Sequence, residues 1–307
     1  MKTVFVTGSS GYIGSVLTRI LLDQGFRVVG IDILDSEIKH PNLLFQSVDI
    51  CDQDKISYLI RSCNPDSIIH LAGMRGAECD QFPIDAYEIN FKAAVRVAEA
   101  ADQQGVGKFV FASTCSNYGL MSDQNSWLDE ESSLTPVSPY AISKVAAENW
   151  LTSGYLKNTK AVILRFATAF GVSPNMRYDL MINSFVRGCA NQQTLEIFQP
   201  HVWRPFCHVE DIAQACAVAV DRDIHRPFDI FNVGANSENY NKQQVLELLQ
   251  QQFENLKYAL NNKNQDPRNY RVDFSKISKQ WNYDTTFSVS DGIKQLTQYE
   301  EECIIKV

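Results

Sequence analysis

The chain has 307 residues, of which 45% are hydrophobic and 21% charged, so it can bury one large core or two unequal lobes. Its formal net charge of -8 argues against nucleic acid or an anionic membrane surface as the main partner. The sequence shows no membrane-length apolar stretch and no signal pattern at its start, so a cytoplasmic location is expected. The eight cysteines lack CxxC or Cys/His ligand spacing, which supports neither a disulfide framework nor a metal site.

In chain order, short β-branched and aromatic segments alternate with longer helical patterns. Strands are predicted over 4–6, 27–31, 43–48, 67–70, 108–112 and 161–165, and helices over 13–24, 52–62, 84–104 and 139–156. Near-continuous apolar strands separated by helices predict an α/β fold of the Rossmann type, with a doubly wound parallel sheet covered on both faces.

After about residue 170 the pattern becomes mixed and loop-rich. Helices are expected over 179–190 and 242–253, and a polar surface loop over 261–269. We therefore predict a dinucleotide-binding domain over 1–170, with later segments returning to it. A smaller, mixed α/β C-terminal lobe over 171–307 is predicted to bind mainly the substrate.

A glycine-rich turn, with Gly8, Gly11 and Gly14, joins the first predicted strand to the first helix. Glycines permit this tight turn and let the backbone approach a pyrophosphate, whose charge the helix N-terminus favours. The next strand ends at Asp32, where a carboxylate can accept hydrogen bonds from the adenosine ribose. Because no arginine follows directly to bind a 2′-phosphate, NAD is favoured over NADP. The alternative is a structural turn with an incidental surface aspartate.

Tyr140 and Lys144 are four residues apart near the start of a predicted helix, so they share one face. A nearby ammonium favours phenolate, which is expected to lower the tyrosine pKa toward a value useful for acid/base chemistry. The strand over 108–112 runs into a polar loop that begins with Ser113 and Thr114, at the sheet edge where such proteins place their sites. The alternatives are a surface helix pair and a polar turn packed under the helix.

With these motifs the sequence resembles the extended short-chain dehydrogenase/reductases, specifically the NAD-dependent epimerase/dehydratase group acting on nucleotide sugars. The resemblance covers nearly the whole chain. It rests on the TGxxGxxG turn, Asp32, the 48–50 segment, the HLAG sequence from His70, Asn90, the 113–119 loop, YxxxK and the 204–211 segment.

The resemblance implies roles for individual residues. Tyr140, Lys144 and Thr114 are the expected catalytic residues, and Lys144 also binds the nicotinamide ribose. Asn90 is expected to stabilise the active-site helix, and Arg204 to hold the nucleotide diphosphate, for which the planar guanidinium is suited. The expected cofactor-binding residues are Gly8, Gly11, Tyr12, Ile13, Gly14, Asp32, Asp49, Ile50, Leu71, Ala72, Gly73, Asn90, Ser113, Tyr140 and Lys144. The expected substrate-binding residues are Thr114, Cys115, Ser116, Arg177, Asn183, Arg204 and Arg268.

The sequence departs from the group's 4,6-dehydratases directly after Thr114. Those enzymes carry Asp-Glu there, whereas this chain has Cys115 and Ser116, so 4,6-dehydration is disfavoured. Two interpretations of Cys115 remain open: an acid on the substrate side of the site, or a small packed side chain.

The resulting hypothesis is NAD-dependent oxidation at C4 of a nucleotide sugar, by a 4-epimerase with a transient 4-keto intermediate. The alternatives are a 4-dehydrogenase that releases the keto sugar, a dehydratase, an NADPH-dependent keto-sugar reductase, and a non-catalytic NAD-binding protein on the same fold. The resemblance further implies a homodimer with a four-helix interface. Similarity of the 168–174 segment and of the 267–271 segment around Arg268 to proteins of surface-polysaccharide pathways suggests glycan precursor synthesis.

Overall fold

The computed structural model of the chain describes residues 1–120, 126–261 and 268–305. The strands in this part of the chain are β1 (Thr3–Thr7), β2 (Arg27–Asp32), β3 (Leu43–Ser47), β4 (Ser67–His70), β5 (Lys108–Thr114), β6 (Lys160–Phe166), β7 (Thr168–Phe170), β8 (Leu195–Phe198), β9 (Trp203–His208), β10 (Phe228–Val233), β11 (Asn239–Asn241) and β12 (Tyr258–Asn261). The helices are α1 (Tyr12–Asp23), α2 (Gln53–Cys63), α3 (Gly76–Gln81), α4 (Pro83–Tyr87), α5 (Ala94–Gln103), α6 (Pro139–Thr152), α7 (Met181–Ala190), α8 (Val209–Asp221), α9 (Lys242–Gln252), α10 (Ser275–Trp281) and α11 (Val289–Ile305).

Seven of the described strands form one parallel sheet in the order β10-β6-β5-β4-β1-β2-β3. The chain runs outward from β1 to β3 and then returns to the other side of β1 with β4. In open α/β sheets a ligand crevice forms at such a reversal, outside the carboxyl ends of the strands. The register places Thr7 of β1 opposite both Ile31 of β2 and His70 of β4, so the ends of these strands meet at the crevice.

Buried apolar side chains cover both faces of this sheet. On one face Val110 and Leu164 pack in a cluster that includes α1 and α8, and on the other Phe109 and Ile163 pack with α5 and α6. Alternating side chains of one strand thus serve opposite faces, as parallel sheets between helix layers require. This confirms the predicted fold class.

A second, smaller lobe contains β7, β9 and β11 in one sheet and β8 with β12 in another, with α7, α9 and α11 around them. The first lobe is completed late in the chain, because β10 pairs with β6 and α8 packs on α1. The predicted domain boundary near residue 170 therefore separates segments of the sequence, while the sheet itself takes strands from both sides of it.

The observed helices refine several predicted bounds. The helix expected over 84–104 consists of α4, a π-helical turn over Glu88–Ala93 and α5. The helix expected over 139–156 ends at Thr152, shortly before Gly154 with φ of +81°. In the polar loop expected over 261–269, residues 262–267 lie outside the described residues.

Candidate active site

The glycine turn closes tightly between β1 and α1. Gly8 has a φ of +73°, and a Cβ added there would lie 2.7 Å from the backbone nitrogen of Ala72. A Cβ on Gly14 would lie 1.8 Å from the carbonyl oxygen of Gly8. Neither position has room for a side chain, so the turn keeps the backbones of β1, α1 and the loop after β4 in close contact.

This turn has the features of a pyrophosphate cradle. Gly11 is the N-cap residue of α1 and supplies no side chain to cap the free N–H groups of Tyr12, Ile13 and Gly14. The buried hydroxyl of Ser10 has no hydrogen-bond partner among the described residues. Free N–H groups, the helix dipole and an unpartnered hydroxyl together fit the phosphates of a dinucleotide.

Asp32, at the end of β2, lies beside the glycine turn. Its Oδ2 accepts a hydrogen bond from the Ser10 N–H at 2.9 Å, and its Oδ1 accepts one from the Leu34 N–H at 3.0 Å. A carboxylate oxygen can accept a second hydrogen bond, so Asp32 retains capacity for ribose hydroxyls. Farther along the same edge Ile50 is buried, and the exposed Asp49 accepts from the Cys51 N–H at 2.8 Å.

The loop Leu71–Ala72–Gly73 follows β4 and is fixed by Asn90 from the π-helical turn. Asn90 Oδ1 accepts from the Met74 N–H at 2.7 Å, and its Nδ2 donates to Ser143 Oγ on α6 at 3.3 Å. π-Helical turns are frequent at functional sites because they redirect a side chain within a helix. Asn90 thus connects the loop beside the glycine turn with α6.

Three predicted catalytic residues converge where β5 ends beside the start of α6. Ser138 caps this helix by accepting from the Ala141 N–H at 3.2 Å, which places Tyr140 in the first turn. Thr114, the last residue of β5, lies close enough to Tyr140 to lower the pKa of the tyrosine. Lys144 Nζ lies 6.0 Å from the centre of the Tyr140 ring and donates to the Ala112 carbonyl at 2.9 Å.

Burial dominates the acid/base properties of this group. It lowers the pKa of Lys144 to about 8, so the amine loses its proton progressively as the pH rises through that value. Burial raises the pKa of Tyr140, while Arg177, Arg268 and Thr114 lower it. The sequence predicted a lowered pKa for Tyr140, and this prediction is wrong. Desolvation of the buried phenol raises its pKa more than the nearby cations lower it.

The residues next to Thr114 face different surroundings. Cys115 is buried among apolar side chains, its thiol donates to the Arg165 carbonyl at 3.3 Å, and burial raises its pKa well above the usual range. This geometry favours the packed alternative over a substrate-side acid. The Ser113 hydroxyl donates to the carboxylate of Glu148, so it points into the protein. Any contact of Ser113 with the cofactor would have to involve its backbone.

Arg268 and Arg204 approach the catalytic loop from the second lobe. Arg268 Nη1 donates to Ser116 Oγ at 3.2 Å, and the Tyr270 hydroxyl lies 3.4 Å from the same atom. Arg204 is buried, and its Nη1 donates to the carbonyls of Trp203 and Arg268. Ser116 is therefore one of the points at which the segment with Arg268 and Tyr270 contacts the loop that carries Thr114.

Arg177 and Asn183 lie on the β7–α7 side of the cleft. The Arg177 guanidinium binds Asp179 through two hydrogen bonds, of 3.1 and 2.6 Å. Asn183 is fully buried, accepts from the Gly171 N–H at 3.0 Å and donates to the Tyr12 hydroxyl at 3.2 Å. Arg177 is thus held near the cleft, whereas the amide of Asn183 is engaged in connecting the second lobe with α1.

Sequence reasoning missed Glu148 and Arg165, which form a buried ion pair beneath the catalytic loop with Nη2 and Oε2 2.7 Å apart. The spacing contains a signal, since Tyr140, Lys144 and Glu148 recur every four residues on one helix face. The partner on β6 is distant in sequence and has no comparable local signal.

The parallel sheet, the glycine turn and the site beside α6 together define a nucleotide-binding α/β enzyme of the extended short-chain dehydrogenase/reductase type. The model of the NAD dependent epimerase/dehydratase family matches residues 4–234, and the chain belongs to this family. This confirms the assignment made from the sequence motifs, the enzymatic role and NAD as the cofactor.

Named relatives extend over almost the entire chain. The UDP-glucuronate 4-epimerase of Thermodesulfobacterium geofontis is 26% identical over 99% of this chain and 98% of its own. The UDP-glucose 4-epimerase of Thermotoga maritima, solved with UDP-glucose, is 22% identical, covers 98% of this chain and 99% of its own, and has a TM-score of 0.87. The UDP-glucuronic acid 4-epimerase of Bacillus cereus, solved with UDP-glucuronic acid and NAD, is 24% identical with the same coverage and a TM-score of 0.85. These two structures share the fold of this chain.

Proposed function

We propose that the protein is an NAD-dependent 4-epimerase of a nucleotide-activated sugar, with a UDP-sugar as its substrate. The observation that carries the proposal is the convergence of Tyr140, Thr114 and Lys144 at the sheet edge next to the glycine turn. The 26% identical relative that spans nearly the whole chain, a UDP-glucuronate 4-epimerase, supports the choice of reaction and nucleotide.

In the proposed mechanism Tyr140 removes the proton of the sugar C4 hydroxyl while the C4 hydrogen leaves as hydride. NAD, when bound, would supply the acceptor for this hydride and the source for its return. Thr114 is proposed to orient the tyrosine oxygen from the end of β5, and protonated Lys144 to favour the phenolate against the burial that raises the Tyr140 pKa. The transient 4-keto sugar turns over, hydride returns to the opposite face of C4, and Tyr140 returns the proton to the C4 oxygen, so no net oxidation occurs.

The residues that would hold NAD follow the crevice at the carboxyl ends of β1, β2 and β4. The backbone of Gly11 to Gly14 and the Ser10 hydroxyl would bind the pyrophosphate, and Asp32 the adenosine ribose. Asp49 and Ile50 are proposed at the adenine, Leu71 to Gly73 along the cofactor, and Lys144 at the nicotinamide ribose.

Arg268, Arg204 and Arg177 are proposed to compensate the charge of the substrate diphosphate from the second-lobe side. The contact between Arg268 and Ser116 supports this placement because it brings a guanidinium next to the catalytic loop. A 4,6-dehydratase is the weaker alternative, because neither Cys115 nor Ser116 carries the carboxyl group that water loss requires. The main rival is a 4-dehydrogenase that releases the keto sugar.

Purified protein incubated with UDP-, GDP-, CDP- and dTDP-sugars would test the reaction. Products are resolved by mass spectrometry and NMR while NADH absorbance is followed. An equal-mass C4 epimer without net NADH is expected with a UDP-sugar. Accumulating NADH with a product two hydrogens lighter would establish the dehydrogenase instead, and unchanged sugars with no NADH would refute both.

A homodimer through α4 to α6 is also proposed. Ile84 on α4 is 78% exposed and Ile142 on α6 is 50% exposed, and the two helices pack side by side. Together with the exposed Phe82 they leave apolar area that a second copy would bury in a four-helix interface. Light scattering should give twice the chain mass, and the pair of changes Ile84→Glu and Ile142→Glu should give the monomer. A wild-type monomer at working concentration would contradict the proposal.

Cytoplasmic glycan precursor synthesis is proposed as the setting. All eight cysteines are free, as is usual in a reducing compartment, and surface glycans are assembled from nucleotide-activated sugars. Within the described ranges, no helix is long and apolar enough to cross a membrane.

A further inference from the structure

A buried carboxylate lies one helical turn beyond the proposed catalytic lysine. Glu148 on α6 has only 3% of its side chain exposed, and Arg165 on β6, its ionic partner, only 4%. The guanidinium contacts the carboxylate through Nη2 at 2.7 Å and through Nε at 3.1 Å to the same oxygen. Replacing such a pair with well-packed apolar residues is often neutral or stabilising, so stability alone gives little reason for it.

The other contacts of Glu148 lead to the catalytic loop. Its Oε1 accepts hydrogen bonds from the Ser113 hydroxyl and from Asn117 Nδ2, the latter at 2.8 Å. Asn117 Nδ2 also lies 3.1 Å from Ser113 Oγ, so the three side chains form a closed set. Ser113 directly precedes Thr114 and Asn117 follows it by three residues, so the carboxylate holds the loop on both sides of Thr114.

We propose that Glu148 is a positioning residue of the catalytic site. Its carboxylate, neutralised by Arg165, fixes the strand end that carries Thr114 against α6, the helix that carries the tyrosine and the lysine. The proposed chemistry needs Thr114 close to Tyr140, and a displacement of about 1 Å can cost on the order of 100-fold in rate. The part of this inference that concerns catalysis rests on the proposed function.

Glu148 also acts on Lys144 through its charge. The titratable groups that face Lys144 are Tyr140 and Glu148 from its own helix, His70 from β4 and Cys79 from α3. Burial lowers the pKa of Lys144 to about 8, and the Glu148 charge opposes that fall. Removing this charge while Arg165 remains should lower the lysine pKa further, whereas a purely structural role predicts no such change.

The first test compares Glu148→Gln with Asp229→Asn in the full-length protein. Asp229 is the matched control, because it pairs with Lys276 at 2.6 Å, is partly buried, and lies on β10 away from the catalytic loop. NMR of isotope-labelled lysine follows the titration of Lys144, whose signal is assigned by its loss in Lys144→Met. In Glu148→Gln the titration midpoint of Lys144 should be lower than in the wild type. The kcat should fall about 10- to 100-fold with an unchanged sugar KM, and the alkaline limb of its pH profile should move to lower pH. Asp229→Asn should leave both the lysine titration and kcat unchanged.

Ser113→Ala is the second test, since it keeps the ion pair and removes only one anchor of the loop. We expect kcat to fall about 10-fold at constant KM, with the pH profile and the Lys144 midpoint unchanged. This variant decides the positioning role even when Glu148→Gln does not fold, because no charge is left buried without a partner.

Two outcomes would overturn the inference. In the first, Ser113→Ala keeps kcat within about twofold of the wild type. In the second, Glu148→Gln leaves both the Lys144 midpoint and kcat where they are in the wild type and changes only the melting temperature. Failure of the proposed function looks different, because the wild type itself then converts no sugar while the lysine titration still reports the effect of Glu148.

Discussion

Replacement of Gly14 by alanine tests the glycine turn most directly. The added Cβ would lie 1.8 Å from the Gly8 oxygen and 2.9 Å from the Ser9 Cα. Restoring an ordinary contact requires α1 and the turn to separate by about 1.6 Å. A shift of that size displaces the N–H groups that hold the pyrophosphate. We therefore expect the NAD affinity to fall on the order of 100-fold, which corresponds to about 3 kcal/mol.

Calorimetric titration with NAD measures this change, and a thermal shift with and without NAD gives a second readout. Alanine is favoured over glycine inside a helix by about 1 kcal/mol, so propensity alone would not unfold α1. Gly107→Ala is the matched control, since Gly107 is exposed and its added Cβ would make only an ordinary 3.4 Å contact with the Asp66 oxygen. An NAD dissociation constant for Gly14→Ala within about threefold of the wild type would refute the argument.

Three further predictions concern single side chains. Tyr140→Phe should lower kcat at least about 1,000-fold and leave the NAD dissociation constant within about twofold, as turnover assays and calorimetry would show; full turnover would exclude it as the base. Asp32→Asn keeps the size of the side chain but removes its charge, and it should lower the ratio of the NADP to the NAD dissociation constant about tenfold in paired titrations. An unchanged ratio would contradict the placement of Asp32 at the ribose. Burial lowers the pKa of His70 to about 3 and that of His208 to about 4, so both are neutral in the folded protein while the unfolded chain takes up protons below about pH 6.5. The free energy of unfolding in urea should therefore fall by about 2 kcal/mol for each histidine between about pH 8 and pH 5, with a shallower fall in His70→Gln; equal stability at both pH values would oppose this account.

Local periodicity was sufficient to predict the central part of the fold and that several candidate site residues lie close together. The order strand, glycine turn, helix and acidic strand end places Gly8 and Asp32 together, because parallel strands bring their carboxyl ends to one edge. The spacing of Tyr140 and Lys144 predicts a shared helix face in the same way. These relations involve residues that are close in sequence or are set by the register of adjacent strands.

Long-range contacts could not be predicted in this way. The Glu148–Arg165 pair depends on how α6 lies over β6, and no pattern in either segment specifies the partner. Helix α11 was also missed, although it packs in the second lobe. Its Gly292 lowers helix propensity, but the ring of Phe170 would lie 2.2 Å from a Cβ at that position, so close packing in the fold requires the glycine.

The late position of β10 has a consequence for synthesis of the protein. When a ribosome has released only the first 170 residues, β6 is an edge strand with unpaired backbone groups, because its neighbour Phe228–Val233 has not yet been made. Buried side chains such as Leu164 then lack the cover that Phe231 and α8 later provide. The first lobe therefore cannot close until residue 233 has been made, after β7, α7, β8 and β9 of the second lobe, and until then the edge of β6 is open to mispairing.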